Sequence, residues 1–300
     1  MSGFRGIPAL IAAGTIWGLS PLYYKLLEHV PPAEVLAHRT EWSFIFFALL
    51  LFFQGRLGQL VPLVRRQWRW IALASIMISV NWFLFIYAIQ VDRVIEASLG
   101  YYIFPLVAVA MGRLVFKERL GALQWIAVAL AVLAVSVLTV GLQVVPAISL
   151  VLATTFGLYG VIKKQLDAGP VLSVTAEVFL LLPLFILTFA YLAGTAQLQA
   201  TSARDITILM CSGPLTAGPL ILFTVGARRV RMATVGLVQY INPTLQFSCA
   251  VIVFGEPFTR WHAIAFSLIW VALALYSFSA FSRDRSARKN ASEGYASQTG

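Results

Sequence analysis

Long apolar runs separated by short polar stretches dominate this chain. A helix needs roughly 17 to 25 mainly apolar residues to cross the hydrocarbon layer of a membrane. The apolar runs are long enough for ten such spans, at residues 7–27, 35–53, 70–90, 95–116, 120–139, 144–162, 172–193, 206–227, 233–254 and 258–281. The pattern therefore predicts an all-α membrane protein of ten transmembrane helices with short loops.

Composition supports a lipid environment. Of the 300 residues, 60% are hydrophobic and only 11% are charged, whereas soluble domains carry about 25% charged residues. The net charge of +10 would suggest a nucleic-acid partner in a soluble protein. Here the basic residues lie in short patches between apolar runs, which is typical of membrane-protein loops. We therefore expect a lipid bilayer around the chain and no nucleic-acid partner.

The distribution of Lys and Arg predicts the orientation. Cytoplasmic loops carry an excess of these residues, and with the amino terminus in the cytoplasm the 22 Lys and Arg divide unequally. The outer side receives only Lys25, Arg39, Arg93, Arg204 and Arg260. Both termini are thus predicted to be cytoplasmic. The polar, basic segment 282–300 is predicted to be disordered because it has little apolar surface to bury.

The chain contains an internal repeat. A shift of 138 residues aligns 102–105 (YIFP) with 240–243 (YINP), and it also aligns Glu118 with Glu256. A slip of two residues places Glu41 over Glu177. The halves, 1–139 and 144–281, hold five spans each, so the second starts on the opposite side of the membrane. Inverted repeats of this kind are a feature of secondary transporters.

A family resemblance runs in order along nearly the whole chain. Its stretches are IWGLSPLYYKLL (16–27), HRTEWSF (38–44), NWFLFIYAI (81–89), EASLGYYIFPL (96–106), VQYINPTLQF (238–247) and FGEPF (254–258). They resemble the RarD branch of the EamA-type transporters, in the drug/metabolite transporter superfamily. The resemblance implies two inverted EamA repeats, a bacterial inner membrane and transport of small organic solutes.

Ionisable residues inside the spans are candidates for coupling or for binding charge, because burying them in a membrane is unfavourable. Glu177 has no partner in the apolar stretch that follows it, so it is the stronger candidate for proton coupling or for binding an ammonium group. Glu41 is the weaker candidate because His38 and Arg39, one turn away, can neutralise it. His38, which can titrate near neutral pH, and Arg39 are themselves candidate charge sites. The alternative for both carboxylates is a packing role. For Arg39 the alternatives are meeting a carboxylate or extending to the headgroups.

Polar and aromatic residues near the middle of the spans are predicted to line a solute cavity. Residues 239, 242 and 246 share one helical face, and we expect Tyr101 to face the same cavity from the first half. The alternative is that these groups only bond neighbouring helices. The full set is Trp17, Asn81, Trp82, Tyr101, Tyr102, Gln239, Tyr240, Asn242 and Gln246.

Prolines and further glutamates complete the candidates. Pro105 and Pro243, at matching points of the repeat, are predicted hinges, with static bends as the alternative. Glu96, Glu118 and Glu256 stand at predicted span starts, where the helix dipole stabilises a carboxylate. We interpret them as helix caps.

Motifs of other protein classes are missing from the sequence. It contains neither a GxxxxGK[ST] phosphate loop nor HExxH, and neither a cofactor motif nor a Cys/His metal cluster. We therefore expect a secondary transporter, an exporter of small organic metabolites or drug-like amphiphiles, with proton coupling as one option. The alternatives are an intramembrane enzyme, a channel or a structural or sensing protein, and the oligomeric state is left open.

Overall fold

The computed structural model describes residues 6–116, 121–143, 145–163, 165–200, 202–227, 229 and 238–296. All regular secondary structure in these residues is helical. The helices are α1 (Gly6–Lys25), α2 (Pro32–Phe53), α3 (Leu60–Gln90), α4 (Val94–Phe116), α5 (Ala122–Leu142), α6 (Ala147–Lys163), α7 (Pro170–Gly194), α8 (Ala203–Met210), α9 (Ser212–Ala227), α10 (Ile241–Ser248) and α11 (Arg260–Ala296).

A helical segment stands at each predicted span. Among the described residues, seven segments are long and apolar enough to cross a membrane, and α8 and α9 together make one of them. The fourth, sixth and ninth predicted spans correspond to the shorter apolar segments Val94–Val107, Ala147–Lys163 and Ile241–Val253. The last of these combines α10 with a π-helical turn, Cys249–Val253. The helical, multi-span character predicted from the hydrophobic pattern is therefore confirmed.

Helix α5 has one face toward the interior of the bundle and another toward its exterior. Its buried apolar side chains are Ala127, Ala131, Ala134 and Leu138, which recur at helical spacing and face α11. The other face is apolar too, and Trp125, Val132, Leu133 and Val140 are exposed on it. An exposed face this apolar suits contact with lipid.

Two ends of the bundle are defined by contacts between connections. The first turns of α3 meet the turn between α6 and α7, where Arg66 pairs with Asp167 at 3.1 Å and Gln67 accepts a hydrogen bond from the Asp167 N–H. We call this the basic end, because Arg56, Arg65, Arg66 and Arg69 lie at or beside it.

The opposite end gathers the other described connections. Lys25 Nζ lies 2.7 Å from Asp92 Oδ1, which joins the ends of α1 and α3. The Glu34 carboxylate accepts bonds from the N–H groups of Gln199 and Ala200. Glu256 accepts bonds from two N–H groups at the start of α4. Those connections that the structure describes thus lie at the ends where membrane spans require them.

Helix packing follows one exchange rule between the halves. Each helix of the first half has a counterpart in the second: α1 corresponds to α6, α2 to α7, α3 to α8–α9, α4 to α10 and α5 to α11. When every helix is replaced by its counterpart, the set of main contacts between the halves stays the same. The contact of α4 with α6 becomes that of α10 with α1, and the contact of α1 with α9 becomes that of α6 with α3. The contacts α2–α7, α4–α10 and α5–α11 map onto themselves.

Some boundaries differ from the sequence prediction. Helix α3 begins about ten residues early and is kinked at Gln67, whose φ is −127°. Helix α11 continues to Ala296, so residues 282–296 of the expected disordered tail are helical. Ala, Arg, Lys and Glu, which are good helix formers, make up much of this segment. The predicted start of the ninth span lies outside the described residues.

Close approach of α1 to α10 depends on Gly18. A Cβ added there would lie 2.7 Å from Leu245 Cβ and 2.9 Å from the carbonyl oxygen of Asn242. Gly213 has the same role between α9 and α2, where an added Cβ would be 2.5 Å from the Trp42 carbonyl oxygen. Gly218, by contrast, has no such neighbour within 4 Å. Small residues at these helix crossings therefore fix the interhelical distances.

We predict that Gly18→Ala destabilises the protein whereas Gly218→Ala does not. Overpacking a tight contact costs about 1–3 kcal/mol, while alanine in an open helical position gains up to about 1 kcal/mol. Thermal unfolding of both purified variants in detergent measures the difference. Equal shifts in the midpoint temperature for the two variants would contradict the proposed crossing.

Candidate functional site

A buried cation lies in the first half of the bundle. Arg39 is the eighth residue of α2 and only 8% exposed. Its guanidinium stands 4.0 Å from the ring centroid of Trp82 and 5.6 Å from that of Tyr24. Among the described residues, its side chain has no carboxylate partner within 4.0 Å. The expectation that Arg39 extends to the headgroups is therefore wrong, because aromatic faces hold it inside.

An amide bridges three helices beside this cation. Asn81 on α3 donates to the Leu152 carbonyl oxygen at 3.0 Å and to Thr155 Oγ1 at 3.1 Å, both on α6. The Tyr101 hydroxyl on α4 donates to Asn81 Oδ1 at 3.0 Å. The buried amide thus has partners on both sides. This arrangement matches the alternative interpretation of Asn81, in which it bonds helices together.

A buried ion pair lies in the second half. Glu177 on α7 is 1% exposed, and its Oε1 lies 2.5 Å from Lys163 Nζ at the end of α6. Its Oε2 accepts a hydrogen bond from the Tyr159 hydroxyl at 2.9 Å. Lys163 also donates to Ser173. The partners of Glu177 therefore come from α6, across the helical hairpin, and not from the apolar stretch that follows Glu177.

Aromatic rings connect the two buried charges. Successive ring centroids are 5.7–6.0 Å apart along a row that begins under Arg39 and ends at the Tyr159 that binds Glu177. We call this set the aromatic row: Tyr24, Phe85, Tyr101, Phe156 and Tyr159. Arg39 lies about 10 Å along α2 from the opposite end, and Glu177 lies about 10 Å along α7 from the basic end. The row therefore runs between two different depths of the bundle.

Arg39 and Glu177 occupy equivalent places in the two halves. The 138-residue shift of the repeat aligns Pro32 with Pro170, the first residues of α2 and α7, and it aligns Arg39 with Glu177. The sequence interpretation instead paired Glu41 with Glu177 through the two-residue slip. The helix starts give the better alignment, and they place opposite charges at equivalent positions.

Glu41 and His38 lie in a different environment from Glu177. The Glu41 side chain is 45% exposed, and its Oε2 is 3.8 Å from His38 Nδ1. The His38 ring packs edge-on against Phe189 of α7, with centroids 4.7 Å apart. Arg39 takes no part in this pair, so the idea that it neutralises Glu41 is wrong.

A second aromatic group surrounds a cavity of about 250 Å³ between α4, α10 and α11. The Tyr102 and Thr244 hydroxyls are 2.6 Å apart, and the Tyr102 ring is stacked on Tyr240. Trp270 completes the lining. Tyr102, rather than Tyr101, is therefore the tyrosine of α4 that contacts Tyr240 and Thr244. Tyr101 turns to Asn81 instead.

Part of the expected polar stripe of the ninth span is hydrogen-bonded within the stripe itself. Gln246 is buried and donates to Asn242 Oδ1 at 2.8 Å, one turn earlier on α10. Gln239 precedes α10 and is half-buried. Trp17, also half-buried, packs against Phe223 with ring centroids 6.0 Å apart. Helix α10 contacts α1, so this stripe and Trp17 lie near one helix crossing.

The two prolines are placed differently in their helices. Pro105 is inside α4, whereas Pro243 is the third residue of α10. A proline in the first turn loses no intrahelical bond, while one in the interior frees a carbonyl oxygen. Pro105 therefore has the local geometry in which proline bends a helix, and Pro243 follows the turn at Tyr240 that separates α10 from the helical residues 238 and 239.

Of the predicted caps, Glu256 acts on another helix than expected. Glu256 accepts from the N–H groups of Val94 and Ile95 and so caps α4 rather than its own helix. Burial raises the pKa of Glu256, although these two N–H donors oppose the shift. Glu96 stands in the first turn of α4 and pairs with Arg93. Glu118 lies outside the described residues.

Comparisons with known proteins agree with this architecture. Residues 4–140 match the model of the EamA-like transporter family. An uncharacterized transporter of Pseudomonas aeruginosa is 41% identical over 92% of this chain and 94% of its own. Protein RarD of Escherichia coli is 35% identical over 95% and 98%. A chloramphenicol-sensitive protein RarD of P. aeruginosa is 28% identical over 90% and 93%.

One solved crystal structure shares the fold. It superimposes with a TM-score of 0.59 at 18% identity, covering 90% of this chain and 96% of the other. The helical bundle, its apolar exterior and its relatives together define a bacterial multi-pass membrane transporter. Within that class, the chain belongs to the EamA-like transporter family.

We predict that Lys163→Met destabilises the protein by on the order of 3 kcal/mol, because the buried Glu177 carboxylate loses its counter-charge. The double variant Lys163→Met/Glu177→Gln should recover most of this loss. Arg66→Met, which breaks an exposed pair at the basic end, is the matched control and should change stability little. Unfolding midpoints in detergent check all three. Additive effects in the double variant would refute the pairing.

Proposed function

We propose that the protein is a secondary transporter that exports a small organic solute across the bacterial inner membrane by alternating access between two inverted halves. The observation that carries this proposal is the exchange rule of the helix contacts. Each main contact between the halves has an equivalent in which the halves change roles. Two arrangements of similar contact quality are then available to one chain, which is what alternating access requires.

Both termini face the cytoplasm in this proposal. Arg56, Arg65, Arg66 and Arg69 gather at or beside the basic end, and cytoplasmic loops carry such an excess. The Glu177–Lys163 pair then lies toward the cytoplasm, and Arg39 lies toward the outside. The aromatic row between them is the proposed solute path, since flat apolar rings suit amphiphilic solutes.

Proton coupling is assigned to Glu177. Its carboxylate is buried and bound to Lys163 and Tyr159, so adding a proton would weaken the ion pair and free Lys163. A change of this kind is a local charge event that can bias two conformations. Glu41 is exposed on the other half and receives no coupling role. Pro105 is the proposed hinge of α4, and Pro243 shapes the start of α10.

Transport into or out of liposomes tests the proposal. We expect the purified, reconstituted protein to move at least one member of a panel of amino acids, nucleobases and amphenicols down an imposed gradient. A pH gradient should drive uptake against the solute gradient in the wild type and in the Arg66→Met control. Glu177→Gln should keep downhill movement and lose the response to pH.

Two results would contradict parts of the proposal. If no solute moves above the level of protein-free liposomes, the transport assignment fails. If Glu177→Gln responds to a pH gradient as the wild type does, the coupling role of this carboxylate fails while transport stands.

A further inference from the structure

We propose that Arg39 is the centre of a binding subsite for an acidic group, a carboxylate or a phosphate, on the transported solute. This inference rests on the proposed transport function and names the chemical class of the solute. The subsite consists of the inward face of α2 around Arg39, Trp42 and Ser43, with the rings of Trp82 and Tyr24 beside it.

Three donors of this face are buried and lack hydrogen-bond partners among the described residues. They are Arg39 Nε, Trp42 Nε1 and Ser43 Oγ. Positions 39, 42 and 43 are spaced i, i+3 and i+4, so they lie on one side of α2. Thr216 lies on α9, the helix that packs on α2. Its Oγ1 is likewise buried and has no hydrogen-bond partner among the described residues.

Other buried hydroxyl groups of the bundle show the ordinary arrangement. Thr40, Ser75 and Thr155 each donate to the carbonyl oxygen four residues earlier, which is the ordinary arrangement for a hydroxyl inside a helix. Ser43 makes no such bond. Buried polar groups are nearly always paired, so this concentration of free donors on one face points to a ligand.

The chemistry of the donors selects an anion. A guanidinium and an indole N–H donate hydrogen bonds and accept none, and the planar guanidinium fork matches carboxylate and phosphate groups. The acidic residues of α2 are not available to fill this role. Glu34 binds the backbone of residues 199 and 200, and Glu41 lies by His38.

The repeat shows what is missing in the first half. Glu177, the equivalent of Arg39, has its counter-charge in Lys163. The equivalent of Lys163 in the first half is Lys25, and that side chain pairs with Glu28 and Asp92 at the opposite end. The second half thus contains a complete ion pair, whereas the first half contains a cation without an anion. The solute is proposed to supply it.

Binding by a matched series of probes tests the subsite directly. Phenylacetate, phenyl phosphate and the neutral phenylacetamide are titrated into the purified protein in detergent, with tryptophan fluorescence and the unfolding midpoint as readouts. We expect at least one anion to bind about tenfold or more tightly than the amide, because hydrogen bonds to a charged partner are the stronger ones. Tighter binding of phenylacetate indicates a solute with a carboxylate, and tighter binding of phenyl phosphate indicates a solute with a phosphate.

Variants of Arg39 provide the specific control. Arg39→Gln should abolish the preference for the anion and leave the weak amide binding unchanged, and Arg39→Lys should retain part of it. Arg93→Gln, at an exposed cation of the opposite end, should behave as the wild type. Without any probe, Arg39→Met should raise the unfolding midpoint, because it removes a buried charge that has no counter-ion.

Several outcomes would overturn the subsite. They are equal binding of anions and amide, the absence of any anion-dependent signal, a preference that survives Arg39→Gln, or a lowered midpoint for Arg39→Met, which would indicate a structural role. These results are separate from those on transport. If variants of Arg39 transport solute as the wild type does, the subsite is refuted and the transport function stands. If anions bind but no solute is transported, the proposed function is refuted and the subsite stands.

Discussion

The free energy of placing a charge in an apolar interior governs how the buried part of this bundle is arranged. A carboxylate there requires a counter-charge, hydrogen bonds or a proton. Glu177 has the first two from one neighbouring helix, through Lys163 and Tyr159. Arg39 has aromatic faces instead, which offset part of the loss of hydration without neutralising the charge. The two charges therefore differ in how completely the protein compensates them.

The same constraint acts on the uncharged polar groups and on the crossings of the helices. Asn81 is satisfied only because α3, α4 and α6 approach one another closely enough for its amide to reach both partners. Close approach in turn depends on small residues. Gly100 on α4 is an example, since a Cβ there would lie 2.8 Å from the Ser149 carbonyl oxygen of α6. Polar bonding and glycine packing are thus two parts of one arrangement.

The hydrophobic pattern predicted the helical segments because the membrane imposes a minimum apolar length on each span, and that length is a local property of the sequence. The partners of Glu177 were missed because Lys163 is 14 residues away and contacts it only across the α6–α7 hairpin. Tyr101 contacts Asn81 instead of the stripe of the ninth span for a related reason. Adjacent residues of a helix point about 100° apart, so a small error in helix rotation assigns a side chain to the wrong neighbour.

The alignment of Arg39 with Glu177 was also within reach of the sequence, since the shift of the YxxP repeat alone produces it. It was obscured by the local similarity around Glu41. Helix starts are set by prolines, and Pro32 and Pro170 mark the register more firmly than scattered apolar identities. Opposite charges at equivalent positions then become visible as a departure from the symmetry of the repeat.

This difference in charge between the two halves makes the proposed transport cycle depend on the protonation of Glu177. If Glu177 is protonated, Lys163 becomes a free cation near the basic end, while Arg39 remains a free cation nearer the opposite end. An acidic solute on the aromatic row then meets a cation at either depth, and its preference between them depends on whether Glu177 holds a proton. A perfectly symmetric pair of halves would offer the same charge at both depths under all conditions. Because one half compensates its own charge and the other does not, a single protonation event is enough to decide whether the basic end attracts the anion as well.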